Sequence, residues 1–64
     1  MSIADEILMY RAQENLSQLA FAQRAGLSKG TISGIESGAQ KPTPRTEMKI
    51  RLLINKEKIE NDTL

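Results

Sequence analysis

The sequence predicts an all-α fold, a compact bundle of four or five helices, from two observations. Apolar residues recur at spacings of three and four, as at Ile3, Ile7 and Tyr10, which puts them on one helical face. Helix caps and helix breakers alternate along the chain, and no run has the alternation typical of a strand. Because the chain has 64 residues, we expect a single domain over residues 1–64.

The first two helices are predicted from their ends. Ser2 can cap the first, with Asp5 three residues later as its capping-box partner, and Asn15 can end it in the left-handed conformation. Ser17 can cap the second helix, and Gly26 ends it. The inward positions of this second helix are Phe21, Ala22 and Ala25.

Two further helices follow the same logic. Ser28 caps the third and Gly38 ends it. Thr43 caps the fourth, and Pro44 stands at the first helical position, where its missing N–H costs nothing. No stop follows before Asn61, so residues 55–64 are either part of a C-terminal helix or a dimerisation extension. The expected core is Ile7, Tyr10, Leu16, Phe21, Ala22, Ile32, Ile35, Ile50 and Leu53.

Composition disfavours an enzyme. The chain has no histidine and no cysteine, the commonest general base and two common metal ligands, so we expect no cofactor, metal or small-molecule ligand. No apolar run approaches the roughly 20 residues of a membrane span, and the lack of cysteine fits a cytoplasmic protein. Residues 11–51 hold seven basic and three acidic side chains, which suits a polyanionic partner.

The segment from Ser17 to Gly38 is the most informative. It contains a short helix, a Gly-Leu-Ser turn and a second short helix, and so tight a turn forces the two helices to cross steeply. Ala22 is small enough for their closest approach, and Ile32 and Ile35 can anchor the second helix on the first. This pattern is typical of the helix-turn-helix, whose second helix lies in the major groove of DNA.

The same segment resembles a known family. Phe21-Ala22, Gly26-Leu27-Ser28 and the run Ile32-Ser33-Gly34-Ile35-Glu36-Ser37-Gly38 are similar to the phage repressor and Cro-type helix-turn-helix family. The resemblance covers residues 7 to 54 or so. It implies a lambda-repressor-like five-helix domain that binds a double-stranded DNA operator, usually as a homodimer, and regulates transcription.

The resemblance also implies which residues meet DNA. The base-reading positions of the family fall on Lys29, Gly30, Ser33 and Gly34. Phosphate contacts are expected from helix N-termini and flanking bases, and the candidates are Arg11, Gln18, Ser28, Thr31, Ser37, Lys41 and Arg45. The family often pairs an Arg and a Glu at the positions of Arg11 and Glu36, which links the first helix to the third.

The fourth helix leaves two alternatives open. Met48, Leu52, Asn55 and Ile59 share a stripe, which is either core packed on the first helix or a dimer seam whose Asn sets the register. Two functions also remain. One is a repressor of phage or plasmid type, located with the DNA in the cytoplasm (nucleoid-associated). The other is a protein-interaction module, an antitoxin or antirepressor, whose glycine-rich third helix no longer reads DNA.

Overall fold

Four helices account for most of the chain. A computed structural model describes the backbone of residues 2–62 and the side chains of residues 2–56. Within this part the helices are α1 (Ile3–Glu14), α2 (Gln18–Ala25), α3 (Lys29–Ser37) and α4 (Pro44–Asp62), and no strand is present. The all-α prediction is confirmed. In place of a fifth helix, residues 55–62 continue α4 without a break.

Hydroxyl side chains begin the helices as predicted. The Oγ atoms of Ser2, Ser17 and Ser28 each accept a hydrogen bond from the backbone N–H three residues later, at 3.0–3.2 Å. Thr43 caps α4 in the same way, accepting from the N–H of Thr46 at 3.2 Å. Each cap satisfies a backbone donor that the helix cannot, and is worth about 1 kcal/mol.

Left-handed residues end the first two helices with the same hydrogen-bond pattern. Asn15 has φ of 55° and Gly26 has φ of 73°. The following leucine then donates its N–H back into the last turn, from Leu16 to Arg11 O at 2.9 Å and from Leu27 to Ala22 O at 2.8 Å. This Schellman pattern carries an apolar residue just beyond the helix, and both leucines pack against the core.

In the core, α3 packs against α1 and α2, and α4 packs against the same two helices. Of the predicted core residues, Leu16 and Leu53 are only partly buried, and the other seven are buried. Tyr10 and Phe21 meet edge to face with ring centroids 5.6 Å apart. Ala22 of α2 is fully buried, in agreement with its predicted inward position. The buried set is Ile7, Tyr10, Phe21, Ala22, Ala25, Ile32, Ile35 and Ile50.

Only one side of α4 belongs to this core. Ile50 is fully buried, and Leu53 and Ile54 pack against the cluster. Met48 and Leu52 are 63% and 64% exposed. Of the two alternatives for this stripe, packing of Met48 and Leu52 on α1 is therefore wrong: the helix turns its Ile50 face inward and leaves them in solvent. The side chain of Ile59, the last member of that stripe, lies outside the described residues.

Candidate nucleic-acid interface

The four predicted base-reading residues lie along the first two-thirds of α3. Ile32 and Ile35 bury one side of the helix. At 100° per residue, Gly30, Ser33 and Gly34 fall on the other side. Lys29 and Gly30 are exposed, and Ser33 and Gly34 are half-buried. The structure thus brings the four residues together on one outward surface, and base reading by them stays a prediction.

The two glycines on this surface have different surroundings. A Cβ placed on Gly30 would meet only Ser28 Oγ, at 4.0 Å. A Cβ on Gly34 would lie 2.8 Å from both Cγ and Cδ of Gln40, closer than real Cβ contacts come. The outward surface is therefore bare at Gly30 and covered by Gln40 at Gly34. Sequence periodicity does not predict this coverage, because Gln40 lies in a loop.

A network of charged and polar side chains joins α3 to α1 and α2. The Nη1 atom of Arg11 donates to both carboxylate oxygens of Glu36, at 2.8 and 2.9 Å, and its Nε donates to Leu16 O at 3.1 Å. Nε2 of Gln18 donates to the same carboxylate at 2.9 Å. The Glu36 side chain is 8% exposed and that of Arg11 is 22% exposed. The expected Arg11–Glu36 pair is present, and Gln18 is an additional partner.

This network changes how Gln18 is understood. The resemblance gives it a phosphate contact, and its carboxamide also holds Glu36. Gln18 is the first residue of α2, whose N-terminal N–H groups suit an anion. Gln18 therefore lies at a candidate phosphate position and also contacts the Glu36 carboxylate of α3. Spacing alone does not reveal this contact, because 18 residues and a turn separate the partners.

The hydroxyl candidates for phosphate contact all have local partners. The Oγ of Ser28 and the Oγ1 of Thr31 lie 2.8 Å apart, and Ser28 also caps α3. The hydroxyl of Ser37 donates to Gly34 O at 3.1 Å and accepts from the N–H of Ala39 at 3.3 Å. These bonds shape both ends of α3, and a phosphate contact from these hydroxyls stays a prediction.

Basic side chains near α4 divide into two groups. Lys41 and Arg45 are exposed on either side of the α4 start, where a phosphate contact is expected. Arg51 instead binds Glu6 of α1 at 2.9 Å and Glu47 of α4 at 3.1 Å. The hydrogen bond to Glu47 is the main cause that raises the pKa of Arg51 above its ordinary value. Its charge thus serves an ion-pair network between α1 and α4.

The exposed side of α4 forms a shallow groove of about 320 Å³. Met48 and Leu52 supply its apolar surface, and Asn55 lies at one end. The groove is lined by Pro44, Glu47, Met48, Arg51, Leu52 and Asn55. Three of the four residues of the predicted dimer seam therefore share one open surface.

Within residues 2–62, no helix combines the length and apolar character needed to cross a bilayer. The described part of the chain also contains no group of three or more Asp and Glu side chains placed to hold a metal ion.

Comparison with known proteins agrees with this geometry. Residues 7–56 match the model of the helix-turn-helix family, and they include all four helices except the first residues of α1 and the last of α4. No curated protein and no solved structure matches the chain. The family is one of DNA-binding regulatory domains and is not generally enzymatic. Because the match covers most of its length, the chain belongs to the helix-turn-helix family and is a DNA-binding regulator.

Proposed function

We propose that this regulator is a sequence-specific repressor of phage or plasmid type that places α3 in the major groove of its operator. The observation that carries the proposal is the orientation of α3. Ile32 and Ile35 fasten one side of it to the core, while Lys29 and Gly30 stand exposed at its start. A short helix held by one side and presented on the other is what major-groove docking needs.

Chemical roles follow from the side chains on that surface. Lys29 can donate to guanine O6 and N7, and Ser33 can bond to a base edge. Gly30 leaves room for the α3 backbone to approach the groove floor. The N-terminus of α2 and the exposed Lys41 and Arg45 fit phosphates, which fix the register of the protein on the duplex without reading sequence.

We further propose that the chain binds a two-fold operator as a dimer. A single module buries only about 600–1,000 Å² against DNA, and Lys29 is the single long side chain among the four base-reading positions. Two copies whose α3 helices lie about 34 Å apart would contact half-sites about 10–11 base pairs apart on one face of the duplex. The groove at Met48 and Leu52 is the surface that we assign to pairing, with Asn55 at its polar end.

Selection from a random pool of duplexes tests the function directly. We expect recovery of a motif with inverted half-sites. Binding to it should weaken with salt with a logarithmic slope of about −4 to −5 for each module that contacts four to six phosphates. Failure to enrich any motif at low salt would contradict the proposal. Such a regulator would act in the cytoplasm, where bacterial DNA is.

The alternative is a protein-interaction module, an antitoxin or antirepressor. The exposed apolar groove of α4 is the observation that favours it, since Met48 and Leu52 could contact a partner protein as well as a second copy. Salt dependence separates the two, because DNA binding should weaken steeply with ionic strength whereas apolar binding to a partner protein should not. Sedimentation with and without the selected duplex then tests the pairing. The repressor proposal predicts two chains per duplex, and that Leu52→Lys, but not Leu8→Lys on α1, prevents the pairing. One chain per duplex at saturation would contradict the dimer.

A further inference from the structure

Gln40 lies where the helix itself provides no side chain. The loop after α3 turns back at Gly38, which has φ of 82°, and the N–H of Gln40 donates to Gly34 O at 3.2 Å. The Gln40 carboxamide then lies across the helix, and its Nε2 donates to Thr31 O at 3.4 Å. Gln40 is thus attached to the outward surface of α3 through both its backbone and its side chain.

The glycine at position 34 makes this arrangement possible. Any larger residue would carry a Cβ only 2.8 Å from Cγ and Cδ of Gln40 and 3.1 Å from Nε2, and would push the carboxamide away. The same loop is shaped by Ser37, whose hydroxyl bonds to Gly34 O and to the N–H of Ala39. The Gln40 side chain therefore occupies the space that a side chain at position 34 would fill.

The chemistry of a carboxamide suits a base edge. It carries a donor and an acceptor side by side, which match N6 and N7 of adenine in the major groove. Gly34 falls at a predicted base-reading position and can offer no such group. An exposed carboxamide over it restores a base-reading side chain to a surface where two of the four positions are glycine.

We propose that Gln40 is a specificity-determining residue. From its position over Gly34 it reads one base pair, with a preference for adenine. This inference rests on the proposed DNA-binding function. It assigns sequence recognition to a loop residue that packs on the recognition helix, so α3 and the first residues after it act as one reading surface.

Base-preference profiling of the full chain tests the inference. The wild-type protein and the Gln40→Ala variant are each measured against every single-base change of the selected half-site. We expect Gln40→Ala to lose about tenfold of preference at one base pair and to keep the others. Gln40→Glu should shift that preference towards cytosine, whose N4 amino group donates to a carboxylate. Gln23 is an exposed glutamine of α2. The matched control is Gln23→Ala, which should change no base preference.

A second variant tests the position of Gln40 over Gly34. Gly34→Ala keeps Gln40 but places a methyl group where the Gln40 side chain lies. It should therefore lower the preference at the same base pair as Gln40→Ala. Unchanged preferences in both variants, or a loss spread equally over all base pairs, would overturn the inference while leaving DNA binding intact. A wild-type protein that selects no sequence would instead refute the proposed function, and this inference with it.

Discussion

The two flanks of α3 are held in opposite ways. On the first, which we call the clamped flank, Glu36 is 8% exposed and accepts hydrogen bonds from Arg11 of α1 and Gln18 of α2. On the second, which we call the loop flank, Gly34 is covered by the exposed side chain of Gln40, whose Nε2 lies 3.4 Å from Thr31 O. One flank is fixed by a part-buried network between helices, and the other by one neutral side chain from a loop.

The clamped flank fixes the orientation of α3, whereas the side chain on the loop flank is free to adjust. The clamped flank joins three helices through one carboxylate, so α3 cannot rotate without breaking several short bonds. The loop flank can rearrange at little cost, because an exposed carboxamide can exchange its partner for water or a base. A DNA-reading helix needs both properties: a fixed axis, and side chains that can fit a base edge.

The largest expected effect concerns the clamped flank. Glu36→Ala removes a carboxylate that accepts two bonds from Arg11 and one from Gln18. Because exposed pairs are worth about 0–1 kcal/mol and breaking a buried pair costs about 3–5, we expect the free energy of unfolding to fall by about 3 kcal/mol. Chemical denaturation measures it. Glu14→Ala, which removes the exposed 3.7 Å pair with Arg24, is the control. Equal losses in the two variants would mean that the clamp has no special role.

The next effect concerns base reading at the start of α3. Lys29 is exposed, so its truncation should leave the fold unchanged. We expect Lys29→Ala to cost about 1–3 kcal/mol of binding at one base pair of the selected site, and to relax preference there. Titrations against single-base variants of the site measure this. A loss of the same size on random DNA would make Lys29 a phosphate contact instead.

The smallest effect concerns Gln18, which belongs to both the clamp and the candidate phosphate surface. Gln18→Ala should reduce affinity for all duplexes about equally, by about 0.5–1.5 kcal/mol, since it positions the protein and reads no base. The preference profile should be unchanged. If Gln18→Ala instead altered the preference at one base pair alone, the hydrogen bonds of Gln18 and Arg11 to Glu36 would influence which base is read.

The sequence predicted the helices well because their ends are local. Ser17, Gly26, Ser28 and Gly38 act on backbone groups three or four residues away, so the bounds of α2 and α3 are as predicted. The buried faces also follow from short spacings, as at Ile32 and Ile35. Such features need no knowledge of the rest of the molecule.

The features that the sequence did not predict depend on distant contacts or on helix rotation. The Gln18–Glu36 bond and the cover of Gln40 over Gly34 arise only once the loop and helices are folded. Met48 and Leu52 have the spacing of a core stripe, yet Ile50 takes the core position and turns them to solvent. Two apolar stripes on one helix compete for one core, and spacing alone does not decide between them.

We propose that the outward surface of α3, with Gln40 on its loop flank, meets DNA. Amide chemical-shift mapping during titration of an isotope-labelled chain with the selected duplex tests it most directly. We expect the largest shifts at Lys29, Gly30, Gly34 and Gln40, with smaller shifts at the start of α2. Shifts confined to the Met48 and Leu52 side of α4, with those four amides unmoved, would contradict it.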